Sequence, residues 1–290
     1  MKECYLFEKL NNMCVVCKTC SHRCIIPENK RGICAVRENR QGKLFLLVYG
    51  KAIAAHIDPI EKKPLFHFMP GTFTYSVATV GCNFSCKWCQ NFEISQQPKP
   101  NNEILGFELS PEQIVKNAQK EKCPSISYTY TEPTIFLEYA LDTMKLAHNV
   151  GLKNIWVSNG YMTSETLKMI TPYLDAINVD LKSFSEKTYQ KYCGVHLKPI
   201  LENLKQIKNN KIHLEITTLI IPGVNDSEKE LTQIAQFIAK KLGKDVPWHI
   251  SRFFPAYKMM DAEITSIETL NSAEKIGKNQ GLKYVHKGNI

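Results

Sequence analysis

The stretch Gly81-Cys82-Asn83-Phe84-Ser85-Cys86-Lys87-Trp88-Cys89-Gln90-Asn91 follows directly on a mainly apolar run, residues 73–80, that reads as a β-strand. It spaces three thiols as C-x3-C-x2-C at the carboxyl end of that strand. Thiolates are soft ligands that suit zinc or iron–sulfur clusters, and a [4Fe-4S] cluster ordinarily takes four of them. Three would leave one iron open. The alternative is a zinc site completed by a distant histidine, against which stands the preference of structural zinc for a closed four-ligand shell.

Working outward, strands are expected at residues 73–80, 125–130, 153–158, 175–181, 212–220 and 247–253. Helices fall between them. Ser110-Pro111-Glu112-Gln113 offers an N-cap, a proline at the first helical position and a capping-box glutamine, and Ser227 with Glu230 repeats the device. After it, Leu231, Ile234, Ala235, Ile238 and Leu242 form one apolar stripe at helical spacing. Six such βα units predict an α/β fold with a parallel sheet, a partial, TIM-like (βα)6 barrel over residues 71–290. Residues 1–70, which carry Cys14, Cys17, Cys20, Cys24 and Cys34, read as a cysteine-rich extension. In parallel barrels functional residues gather at the carboxyl ends of the strands, which is where the three thiols lie.

With 290 residues, 43% of them hydrophobic, the chain has ample material for a core. The formal charge is +9, but only five of the 37 basic residues are Arg and the lysines are scattered, so nucleic acid is not an expected partner. The first ten residues hold no long apolar segment, and nothing later approaches the ~20 apolar residues of a membrane span. A cytoplasmic protein is expected. Eleven cysteines in such a chain point to metal binding or redox chemistry rather than disulfides.

The three cysteines, with the aromatic Trp88 before the third, resemble the signature of the radical S-adenosylmethionine (SAM) superfamily. A closer resemblance, running from about Cys17 to Asn289, is to the AmmeMemoRadiSam system radical SAM proteins, relatives of the pyruvate formate-lyase activating enzymes. It is carried by Asp58-Pro-Ile-Glu-Lys-Lys-Pro-Leu-Phe-His-Phe68, Gly81-Cys-Asn-Phe84, Tyr128-Thr-Tyr-Thr-Glu-Pro-Thr134, Asn178-Val-Asp-Leu-Lys182 and Pro247-Trp-His-Ile-Ser-Arg-Phe253. The resemblance implies a [4Fe-4S] cluster on Cys82, Cys86 and Cys89, with SAM chelating the open iron through its amino and carboxylate groups. An electron from ferredoxin or flavodoxin then breaks SAM to methionine and a 5′-deoxyadenosyl radical, which abstracts hydrogen from a substrate.

The resemblance also implies SAM contacts. Trp88 would pack near the adenine. Glu132 stands where the superfamily has a Gly-Gly-Glu turn, although Tyr130 and Thr131 replace the glycines. Ser158-Asn159-Gly160 matches a turn near the SAM carboxylate and ribose. Asp180 and Lys182, on one face of a strand end, match residues that contact SAM and a monovalent cation. A plain structural ion pair is the other reading of the two. His249 matches a SAM-contacting histidine or is a packing residue. His56, Asp58, Glu61 and His67 line a substrate mouth or form a solvated turn, and Cys193 and Cys123 read as small buried hydrophobes.

Cys14-x2-Cys17-x2-Cys20-x3-Cys24 has the spacing of a bacterial ferredoxin run, with Cys34 as a fifth thiol. The resemblance covers Cys17, Cys20, Cys24 and Cys34 and leaves Cys14 outside. Zinc in a closed Cys4 site and a second [4Fe-4S] cluster both remain open. The substrate is open as well: a glycyl radical enzyme, a small molecule modified together with Memo-like and associated proteins, or none, if the chain is a non-catalytic metal-binding scaffold.

Overall fold

The computed structural model describes residues 1–290. Its central sheet holds eight strands in sequence order: β1 (Ala54–Pro59), β2 (Phe73–Ala78), β3 (Ser125–Tyr128), β4 (Lys153–Ser158), β5 (Ala176–Asp180), β6 (His213–Ile220), β7 (Trp248–Arg252) and β8 (Val285–Gly288). All neighbours from β2 to β8 are parallel, and β1 runs antiparallel to β2. The crossovers carry helices α1 (Pro111–Lys120), α2 (Leu137–Asn149), α3 (Ser164–Ile170), α4 (Lys198–Asn209), α5 (Glu228–Phe237) and α6 (Ile267–Asn279). β1 and β8 are edges that do not pair with each other, so the α/β sheet is an open partial barrel.

All six expected strands are present with ends shifted by at most two residues. The two edge strands carry no apolar run: β1 reads Ala-Ala-His-Ile-Asp-Pro and β8 Val-His-Lys-Gly. An edge is covered on fewer sides and tolerates polar residues and proline, which removes the pattern a sequence reading depends on. Because β1 belongs to this sheet, part of the segment before residue 70 lies within the core.

Ser110 and Ser227 cap α1 and α5 through their hydroxyls, accepting from Gln113 N and Glu230 N. The reciprocal half of each capping box is not made. Gln113 turns to Asn117, and Glu230 reaches across to Ser183 Oγ and to Phe184 N at 2.9 Å, holding the loop after β5. The stripe from Leu231 to Leu242, on α5 and the helical turn that continues it, is buried as its spacing requires.

The amino-terminal segment folds into small antiparallel sheets and shares one continuous core with the barrel. Its main tie is Arg37, 2% exposed, whose guanidinium meets the fully buried Glu138 of α2 at 2.6 and 3.1 Å and donates to the Ile135 carbonyl at 3.0 Å. Thr163 and Thr166, at the start of α3, hydrogen-bond the carbonyls of Lys18 and Thr19, both at 2.7 Å. The extension also sits against the three-thiol loop. Gly81 has φ +97°, and a Cβ there would lie 2.9 Å from the Cys34 carbonyl oxygen and 2.8 Å from Val36 Cγ1. Only glycine permits that approach.

Candidate active site

A cavity of about 560 Å3 opens at the carboxyl ends of the sheet. Cys82, Cys86 and Cys89 line it from the loop after β2, together with Trp88. The loop is held by its backbone: Ser85 N and Lys87 N donate to the carbonyls of Cys193 and Tyr192, both at 3.0 Å, and Cys89 N donates to Cys86 O at 3.2 Å. Phe84 N points at Cys82 Sγ, 3.4 Å away, and Cys89 Sγ lies 3.2 Å from Ser95 Oγ. Burial pushes the Cys82 and Cys89 thiols up, and Cys86 is raised first by its hydrogen bond with the neighbouring Cys193 and then by burial. Such thiols ionise when a metal supplies the compensating charge. Asn83 Nδ2, on a side chain only 1% exposed, is a donor with no partner in the protein. Three soft donors lining a space of this size, with an unpartnered buried N–H on the same loop, fit an iron–sulfur cluster.

The turn after β3 keeps the left-handed backbone of a glycine without having one, since Tyr130 has φ +61°. Its strain is held by the ring, whose hydroxyl meets Asp58, while Lys63 Nζ lies 4.3 Å over its face. Glu132 lines the cavity, yet its two oxygens accept from Thr134 N at 3.0 Å, Thr134 Oγ1 at 2.5 Å, Ser158 Oγ at 2.9 Å and Asn159 N at 2.8 Å. Three of these bonds fall on Oε1 and one on Oε2, so the carboxylate mainly joins the ends of β3 and β4. Asn159 is likewise committed, donating from Nδ2 to Asn83 Oδ1 at 2.8 Å and accepting from Tyr161 N at 3.0 Å.

Asp180 and Lys182 both line the cavity, as strand alternation requires, with Lys182 Nζ 2.8 Å from Asp180 Oδ2. Burial opposes the Lys182 charge, but the Asp180 carboxylate beside it outweighs burial and holds its pKa well above the usual range.

His249 stands apart from these residues. It is the second residue of β7, near the strand's amino end, and it does not line the cavity. Two residues along the same face, Ser251 does; two residues of strand are about 6.6 Å, enough to set His249 one layer deeper. There its Nε2 meets the fully buried Glu215 at 2.6 Å. Glu215 also takes His213 Nε2 at 2.9 Å and the amides of Phe66 and His67 at 3.1 and 2.8 Å, fastening the 60–69 segment across the amino ends of the strands.

Of the remaining candidates, Asp58 is buried and bound to Lys62 and Lys63 at 2.8 and 2.7 Å, and both lysines line the cavity. Sequence reasoning passed over the lysines, whose signal was the pair Lys62-Lys63 beside that carboxylate. Glu61 only closes a turn on Gly71 N at 2.7 Å, His56 stays exposed, and His67 pairs with His286 at the far end of the sheet. Cys17, Cys20, Cys24 and Cys34 gather around a second, small cavity in the extension, with Cys14 outside it. No three His, Cys, Asp or Glu side chains of the chain already converge on one ion-sized point. No helix is long and apolar enough to cross a membrane.

The family model described as the radical SAM superfamily matches residues 76–235. Among curated relatives, the chain is 45% identical over its whole length to an uncharacterised protein of Methanocaldococcus jannaschii, covering 86% of that protein. It is 22% identical to the pyruvate formate-lyase-activating enzyme of Clostridium pasteurianum, over 67% of this chain and 86% of that one. Among solved structures, a radical SAM methyltransferase from Sphaerobacter thermophilus superposes with a TM-score of 0.59 at 15% identity, over 77% of this chain and 68% of that one, a likeness of fold.

Proposed function

The chain belongs to the radical SAM superfamily and is an enzyme, and from that membership we propose that Cys82, Cys86 and Cys89 hold its [4Fe-4S] cluster. When bound, cluster and SAM would supply one-electron cleavage of the sulfonium and, through it, hydrogen-atom abstraction from a substrate. The observation that carries the reading is one space of about 560 Å3 lined by all three thiols, Trp88 and the Asp180–Lys182 pair.

The chain's own groups divide the work. Lys182 would offer N–H donors to the carboxylate of the SAM amino acid, and Asp180 would hold the Lys182 ammonium in place and accept from an N–H of the SAM amino group. Trp88 presents an aromatic surface to the adenine. Glu132 positions rather than binds, by fixing the Ser158–Asn159 turn. Electrons would come from an acidic donor, ferredoxin or flavodoxin, meeting the basic face around the thiol loop. There Lys87 and Lys191 flank Tyr192 at 5.4 and 4.9 Å, and Lys258 N is bonded to Lys87 O at 2.9 Å.

The likeness to a pyruvate formate-lyase-activating enzyme favours a backbone glycine of a glycyl radical enzyme as one substrate. The test of the central reading is anaerobic reconstitution with iron and sulfide, reduction with dithionite, and assay of SAM turnover. 5′-Deoxyadenosine is the expected product. A chain that takes up zinc at both cysteine groups and forms none would instead be a scaffold.

A further inference from the structure

A second charged group stands on the wall of the cavity that the three thiols line. Asp58, buried near the end of β1, accepts from Lys62 Nζ at 2.8 Å and from Lys63 Nζ at 2.7 Å, and the Tyr130 hydroxyl donates to it as well. Lys62, Lys63 and Tyr130 all line the cavity. The two ammonium groups are not alike. The Lys63 side chain is 1% exposed and its Nζ lies 4.3 Å over the Tyr130 ring, so away from water it depends on the carboxylate for compensation. The Lys62 side chain is 62% exposed and shares that same carboxylate. One negative charge between two positive ones leaves the group with a net charge of +1, and Lys62 presents it.

The acids that line the cavity are engaged elsewhere. Asp180 pairs with Lys182, and Glu132 takes four hydrogen bonds at the ends of β3 and β4. The Asp58 group is also distinct from the Asp180–Lys182 pair, because three strands of the sheet separate β1 from β5. It lies nearer the amino ends of the strands. Asp58 stands opposite Thr74, four residues or about 13 Å before Ala78, the last residue of β2 ahead of the thiol loop. Lys63 and Tyr130 hold Asp58 from two sides, and Asp58 in turn anchors the Lys62 ammonium.

We propose that Lys62, seated on Asp58 and Lys63, is the substrate anchor of this cavity, and that the substrate is a small acid whose carboxylate or phosphate Lys62 binds while its other end reaches toward the thiol loop. An ammonium has three N–H donors, and Asp58 takes one of those on Lys62. The others suit an oxyanion, with which they form charge-assisted hydrogen bonds. Carboxylate and phosphate share that chemistry. The role as substrate rests on the reading of this cavity as the place of cluster and SAM, whereas the anion site rests on the lysines alone.

Anaerobic titration calorimetry of the intact chain, free of iron and SAM, with inorganic phosphate and separately with succinate tests the anion site. Saturable binding of at least one probe is expected, the tighter one naming the anion. Affinity should fall by about tenfold or more in Lys62→Ala, the loss of one charged hydrogen bond, and be kept in Lys62→Arg and in Lys240→Ala, whose side chain is exposed elsewhere. Replacing Lys62 leaves the buried Asp58–Lys63 pair in place, so the variant keeps its fold. No saturable binding of either probe, or unchanged affinity in Lys62→Ala, overturns the site. In the chain reconstituted with iron and sulfide, the phosphorus-31 or carbon-13 lines of the bound probe should broaden on dithionite reduction, through the paramagnetic cluster. A bound probe that stays sharp beside a reduced cluster overturns the substrate role. Binding through Lys62 in a chain that takes up no iron supports the anion site and refutes the cluster, so the two can fail separately.

Discussion

Asn159 Nδ2 donates to Asn83 Oδ1 at 2.8 Å, joining the turn at the end of β4 to the loop that carries the three thiols. Both side chains are buried, so the bond is made away from water. Removing it by Asn159→Ala strands Asn83 Oδ1 and Tyr161 N, at a cost of about 1–3 kcal/mol. Urea unfolding should show that loss, and the reconstituted variant should lose cluster absorbance faster in air than the unsubstituted chain.

Replacing any one of Cys82, Cys86 and Cys89 by Ala should abolish 5′-deoxyadenosine formation, since two thiols cannot hold a cluster with one iron open. The measurement is product analysis after dithionite reduction. Turnover like that of the unsubstituted chain in any of the three would refute the assignment of the ligands.

Asp180→Ala and Lys182→Ala should weaken SAM binding by about 1.5–3 kcal/mol while the visible absorbance of the cluster is retained. In affinity this is roughly a tenfold to hundredfold loss. Equilibrium titration with SAM reads it directly. Unchanged affinity in both would leave the pair as a structural ion pair.

Arg37→Met leaves the Glu138 carboxylate buried and unpaired, and should destabilise the fold by about 3–5 kcal/mol. The double variant Arg37→Met, Glu138→Leu should recover most of that, because an apolar pair of similar volume carries no desolvation cost. Thermal unfolding of the two variants side by side decides the matter. Equal losses in single and double variants would mean that the charges are not the source of the coupling.

Acid should loosen the amino ends of the strands. Burial works against the Glu215 charge, but hydrogen bonds from His213, His249 and the 66–67 amides outweigh it and lower the pKa from 4.5 to about 2. A carboxyl depressed in the folded state contributes its stability above the unfolded pKa and loses it as pH falls through the folded one. The contribution, on the order of 3 kcal/mol, should be complete at neutral pH and fade from about pH 4.5 to pH 2. Urea midpoints across that window should fall less steeply in Glu215→Gln. His249→Asn should lower stability without altering SAM affinity.

The sequence by itself determined the parts of this protein that depend on neighbours along the chain. The C-x3-C-x2-C spacing, the six strands that open as apolar runs, and the Ser110 and Ser227 caps are local patterns, because ligand bite, strand burial and helix starts are each set within a few residues. Asp180 and Lys182 were legible for the same reason, since alternation alone puts i and i+2 on one face.

Tertiary structure decided whatever depends on depth and on partners distant in sequence. His249 and Ser251 share a face, but how far along the barrel each lies is set by register with β6, where Glu215 waits for the imidazole. Glu132 looks free in sequence, and only the neighbouring strand end supplies the donors that occupy it. Edge strands β1 and β8 carry no pattern, since an edge needs backbone pairing more than side-chain burial. The four cysteines of the extension have a spacing that suits two metals, and only the fold shows that they line one small cavity with Cys14 outside it.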